Sequence, residues 1–164
     1  MQNPPPPPPP PPSGGYQPPL PPSGSAAPMG GATGNLASPG MRIVGGLIDV
    51  VILIVVGVII QVPLQKAQGV AGLIGLAIDV AYFAFFWSSR GASIGMMPFG
   101  FKVRDIATGQ YPTMGKAAIR GLVWCLEVGF TVCIVGAIGW LWPLWDPQKQ
   151  AWHDKAAGTI VTVT

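Results

Sequence analysis

The stretch from Arg42 to Val62, RIVGGLIDVVILIVVGVIIQV, holds 21 residues whose only charges are Arg42 at its start and Asp49. As a helix it covers about 30 Å, the thickness of a bilayer's hydrocarbon core. A soluble domain carries charge on about a quarter of its residues, whereas this chain of 164 carries it on 9%. There are too few polar groups to cover such a segment in water, so the chain reads as a membrane protein.

Two more apolar stretches follow. Val70–Ser89, VAGLIGLAIDVAYFAFFWSS, reads as a second span and ends in Tyr82, Phe83, Phe85, Phe86 and Trp87, a cluster suited to a membrane interface. The turn between the spans, Pro63–Gly69, has one charge, Lys66. Ala117–Trp145 admits two readings. One span would export the C-terminus, while the 26 residues from Arg120 to Trp145 are too few for two spans of about 20 each. A re-entrant helical hairpin turning near Thr131–Gly136 fits better, if its turn is buried in protein or lines a cavity.

Residues 90–116 carry Arg90, Lys102, Arg104 and Lys116 against Asp105 alone. The positive-inside rule makes this loop cytoplasmic, with Pro63–Gly69 outside and the N-terminus inside. Within the loop, Phe101–Ile106 and Gln110–Tyr111 read as a small hairpin, and the β-branched Thr159–Thr164 offers a third strand. Residues 1–41 hold 15 of the 20 prolines, nine of them unbroken from Pro4 to Pro12, and no charge. Such a segment reads as a disordered, polyproline-favouring cytoplasmic tail able to dock on a proline-binding groove. Lacking a basic start, it does not read as a cleaved signal peptide.

Several function classes are disfavoured. The net charge of +3 is spread over short loops with no aromatic-interleaved basic stripe, which argues against nucleic-acid binding. Cys125 and Cys133 lie about 12 Å apart along a helix and read as small core residues. One histidine and no cysteine pair at ligand spacing leave no metal or haem ligand set. No phosphate loop, nucleophile elbow or Ser/His/Asp set is present, so neither catalytic residues nor a cofactor are expected.

The unusual residues are carboxylates inside apolar stretches: Asp49, Asp79 and Glu127. A charge at the bilayer centre costs about 2.5 to 3.5 kcal/mol or more, so each needs compensation. Arg42, Arg90 and Arg120 stand at the cytoplasmic ends of the same stretches. Arg42–Asp49 and Arg120–Glu127 are both seven apart, within about 20° of one helix face. Faces packed inward would open a small polar cavity, with Gly45, Gly46, Gly72, Gly75 and Gly121 permitting close helix approach. Asp49, Asp79, Glu127 and Arg120 are therefore the candidate ion or ligand site, set against the plainer reading that these groups only lock helix register. His153 reads as a solvated or capping residue, and Trp140, Trp142, Trp145 and Trp152 as interfacial anchors.

An ordered set of residues also follows a known pattern. Arg42 opens the first span with Asp49 seven on; Gly-Ala-Ser-Ile-Gly-Met-x-x-Phe-Gly-Phe-Lys-Val-Arg-Asp occupies 91–105; Trp-His-Asp-Lys-Ala-Ala-Gly-Thr occupies 152–159. Over roughly 42–163 the chain resembles the RDD family of bacterial multi-pass membrane proteins. The Pro-rich head and Pro-Leu-Trp-Asp-x-x-x-Gln at 143–150 make it similar to that family's proline-rich antigen proteins of actinobacteria. The resemblance implies a triad of one arginine and two aspartates, here Arg42, Asp49 and Asp154, and an unsettled activity for which transport of an unidentified ligand has been suggested. Met96-Met97 stands where members tend to carry Gly-Lys, so no role for that lysine is carried over. If Asp154 pairs with Arg42, the C-terminal segment returns to the cytoplasmic face.

The expected architecture is thus an all-α multi-pass protein of the bacterial inner membrane. It comprises a tail (1–41) and a domain (42–164) with spans near 42–62, 70–89 and 117–145 and a minor cytoplasmic β element. The leading function is a small transport or ion-coupled module. It is expected to work as an oligomer or with a membrane partner, because three segments hardly enclose a path. The rival is a non-transporting anchor whose Pro-rich arm recruits a partner.

Overall fold

Val and Ile are mediocre helix formers in water, yet in an apolar medium a lone segment can pair its backbone groups only as a helix. The computed structural model, which describes residues 35–163, follows that logic. Helix α1 runs Pro39–Gln61 and α2 runs Gln68–Arg90, both long and apolar enough to cross a membrane. Pro39 sits in the first turn of α1, where its missing N–H costs nothing. Gly91, at φ 67°, ends α2 in the left-handed conformation and donates its N–H to the Trp87 carbonyl. A side chain there would also collide with the Tyr111 ring.

The third stretch is a hairpin. Helix α3, Met114–Gly129, starts with the Lys116 N–H donating to Thr113 Oγ1. It breaks into a 3-10 turn at Phe130–Cys133, and α4 runs back over Val135–Leu141. The reversal passes through Ile134, at φ 66°. Gly136 lies so close to the Glu127 carbonyl that no Cβ would fit. Cys125 and Cys133 are both free, one in α3 and the other exposed in the turn.

A short helix α5, Trp152–Ala157, leads into the sheet. Strands β1 (Asn35–Leu36), β2 (Phe101–Asp105) and β3 (Thr159–Val163) form an antiparallel sheet with β3 in the centre. Two expectations are corrected here. β3 is the third strand expected at Thr159–Thr164 and pairs with β2 in the register Val103 opposite Val161, but Gln110–Tyr111 forms no strand and only closes the turn through the Asp105 N–H on the Gln110 carbonyl. Residues 35–41, assigned to the tail, supply β1 and the first turn of α1, because the central strand has a free edge to pair. The reading of Pro4–Pro12 as a disordered arm lies outside the described residues.

The core sits where α2, α3 and the sheet meet. Phe83 stacks on Trp87 with centroids 4.3 Å apart and tilts against Trp124 at 4.5 Å. Phe83 and Trp87 are therefore core residues rather than interface anchors, while Phe85 is exposed. Gly121 lets α3 approach α2 at Phe83, and Gly46 lets the Trp140 ring rest on α1. Gly72 and Gly75 have no such neighbour within 4 Å. Beyond the core, α1 and α2 project with their apolar side chains bare: Ile59 is 66% and Leu73 70% exposed.

Candidate functional site

The start of α1, the end of α2, the loop after it, α3 and α5 converge on one end of the molecule, where the buried charges collect. Asp154 is fully buried, at the third position of α5, and its Oδ2 accepts the N–H of Ala151, tying down the helix start. The same oxygen accepts from Arg42 Nη2. Oδ1 accepts from Arg120 Nε at 3.1 Å and Nη2 at 2.5 Å. Two guanidiniums from two helices thus share one carboxylate. Burial alone would raise the carboxyl's pKa, but Arg42, Arg120 and then His153 hold it well below its ordinary 3.8. Arg42 also donates to the Lys149 carbonyl, and the Arg120 guanidinium lies 4.0 Å from the Trp87 ring centroid.

Asp49 is buried two turns beyond Arg42 on α1. Its carboxylate accepts from Ser93 Oγ at 2.5 Å, the Gly95 N–H at 2.9 Å and Tyr82 Oη at 2.8 Å. These donors belong to the loop after α2 and to α2 itself, and Tyr82 also accepts the Ile94 N–H. The loop can come so near only because residue 95 is glycine. A Cβ there would overlap the Gly45 carbonyl and the Asp49 carboxyl.

Glu127 pairs with His153. Glu127 Oε1 accepts the His153 backbone N–H at 2.9 Å, and Oε2 lies 2.7 Å from His153 Nδ1. His153 is buried, correcting its expected place as a solvated residue: α5 packs its first turn against α3 and covers most of the ring. Glu127 and Arg120, two turns apart on one face of α3, therefore serve different partners.

The structure brings Arg42, Asp49, Arg120, Glu127, His153 and Asp154 into one region, and leaves Asp79 out. Asp79 lines a separate crevice of about 390 Å³ between α1, α2 and α3, with Gly72, Gly75 and Cys125. Arg90 is exposed and lies over the Phe86 ring. Four of the six gathered residues, Arg42, Asp49, Arg120 and His153, line a cavity of about 50 Å³ together with Trp87 and Trp140. Sequence reasoning missed Tyr82, Ser93, Gly95 and Trp87. The small residues of Gly91-Ala-Ser-Ile-Gly95 were the available signal, since such a run marks a backbone approaching something closely. Among the described residues no three His, Cys, Asp or Glu side chains gather as a metal-binding group.

Comparison with known proteins gives these residues a context. The proline-rich antigen homolog of Mycobacterium tuberculosis is 31% identical over 96 residues, covering 58% of this chain and 38% of that protein. The proline-rich antigen of Mycobacterium leprae is 33% identical over 90 residues, covering 55% and 34%. An uncharacterised protein of Rickettsia prowazekii is 32% identical over 86 residues, covering 52% and 44%. The matches thus span less than half the length of each of these relatives. No solved structure matches the chain. The RDD family model matches residues 36–158, which takes in the ion pair, the loop that closes on Asp49 and the α3–α4 hairpin. The chain belongs to the RDD family.

Proposed function

We propose that the protein is a multi-pass protein of the bacterial inner membrane that binds and moves a small polar or charged ligand through the site at its charged end. The observation that carries this reading is the 50 Å³ cavity lined by Arg42, Asp49, Arg120 and His153 in a chain whose long helices are otherwise apolar. Ionisable groups at such a position are costly and are kept in membranes chiefly on ligand and proton pathways.

In this reading α1 and α2 span the bilayer, and α3 with α4 forms a re-entrant hairpin whose turn is held against Glu127. The pairing of β2 with β3 and of Arg42 with Asp154 supports both termini of the domain lying on one side. Arg90, Lys102, Arg104, Lys116, Lys149 and Lys155 collect at that end against Lys66 at the other, which favours the cytoplasm. Two spans and a hairpin do not enclose a path, so the working unit is an oligomer.

A second reading has its own support. Each charged side chain of the cluster already has a partner in the protein, as expected of a lock that fixes helix register. The protein would then be an anchor presenting a Pro-rich arm. Two experiments separate them. Reconstitution into liposomes should show ligand flux that Asp49→Asn abolishes while the protein stays folded. Deletion of residues 1–34, which spares β1, should leave the cellular phenotype intact. Loss of the phenotype on deletion, with no flux in liposomes, would establish the anchor.

A further inference from the structure

The cavity's hydrogen-bonding capacity is one-sided. Arg120 Nη1, Trp87 Nε1 and Trp140 Nε1 are buried and have no hydrogen-bond partner among the described residues. All three belong to side chains that line the cavity. The acceptors nearby are taken. The two Asp154 oxygens serve Ala151, Arg42 and Arg120, and the Asp49 carboxylate serves Ser93, Gly95 and Tyr82. Arg120 itself is 2% exposed and fixed on two sides, by Asp154 and by the Trp87 ring. It presents one unused edge of a rigid fork, and such an edge recognises an oxygen or halide acceptor.

Resting on the reading of this cavity as a ligand site, we infer that the ligand it takes is a small monovalent anion, of the class of a halide, nitrate or short carboxylate. Its hydrogen bonds come from Arg120 and from the Trp87 and Trp140 indoles. An unpaired buried donor costs about 1 to 3 kcal/mol, so three in one place favour whatever acceptor fits. The size follows from the volume. At the ~10–15 Å³ that one water requires, a cavity of about 50 Å³ admits about three to five non-hydrogen atoms. A metal cation is disfavoured because its ligands would have to come from carboxylates that already accept two or more protein donors each.

The test uses the full chain purified in detergent micelles. Sodium formate, nitrate or bromide is titrated calorimetrically against sodium gluconate of equal ionic strength, gluconate being too large to enter. The expected result is saturable binding of a small anion and none of gluconate. Binding should weaken at least tenfold in Trp140→Phe, which keeps an aromatic side chain and removes one donor, measured at a temperature where the variant is still fully folded in gluconate. Trp87→Phe gives an independent second variant. Absence of anion binding, with the donors served by water alone, would overturn the inference, as would binding that both variants leave untouched. Saturable binding of lithium, sodium or potassium in gluconate, without anion binding, would also overturn it and leave the ligand-site reading standing. Anion binding without flux in liposomes would uphold the inference while removing transport.

Discussion

The two ends of α1 and α2 are held by different physics. At the charged end each charged side chain of the cluster is bound to a particular partner: Arg42 and Arg120 to Asp154, Asp49 to Ser93, Gly95 and Tyr82, and Glu127 to His153. At the far end, from about Val51 to Val70, the helices carry Val, Ile and Leu on exposed faces and border open crevices, one of them lined by Asp79. One end tolerates few changes because partners are specific, while the other requires only that a residue be apolar. A helix in lipid gains little from apolar contact, since the surrounding tails are as apolar as its side chains.

The largest expected effect breaks the charged end. Asp154→Asn leaves the buried Arg120 and the partly buried Arg42 guanidiniums without their shared anion, and breaking a buried pair costs about 3 to 5 kcal/mol. Thermal unfolding in detergent should show a much lower melting temperature or no folded protein. A variant that melts like the wild type would mean the pairing contributes nothing. Next, Val55→Arg places a charge on an exposed face in the middle of α1, at about 2.5 to 3.5 kcal/mol on the insertion scale. The membrane-inserted fraction should fall, and full insertion would show that this face does not meet lipid.

Glu127→Gln keeps an acceptor for the His153 backbone N–H but weakens the bond to the ring, for a loss of about 1 to 3 kcal/mol. Equal stability would mean that the pair is held by packing alone. The smallest effect is the pH dependence. Because Asp154 is held below its ordinary 3.8 in the fold, the unfolded chain binds its proton more readily. Its contribution is complete above about pH 4 and is lost as acidity rises below that value. Arg42→Gln, which spares Arg120, should make this acid-side fall shallower in melting curves between pH 7 and pH 3. An unchanged fall would separate Arg42 from Asp154.

Much of the fold was legible from length and charge alone. Two long apolar stretches with a short turn became α1 and α2, and the deficit of residues in Ala117–Trp145 pointed to a hairpin. The family resemblance put Arg42 beside Asp154. His153 was misread because a lone histidine between a tryptophan and a charged pair looks like surface; only the packing of α5 on α3 buries it. Asp79 was grouped with the other carboxylates because it too sits inside an apolar stretch, but that says nothing about which neighbour it faces. Residues 35 and 36 were lost in the tail's composition, since two residues of strand have no periodicity to detect.

By itself the sequence determined that this chain seeks an apolar surrounding and which few residues would be costly there. A continuous apolar run leaves the backbone no partner but itself, and a buried charge needs compensation wherever it lands. The tertiary structure decided who compensates whom. Arg42 and Arg120 lie 78 positions apart in the chain and meet on one carboxylate only because the α3–α4 hairpin carries α5 back to the start of α1. The three unpaired N–H groups are likewise a product of that closure, for each belongs to a different helix, α2, α3 or α4, and no spacing along the chain relates them.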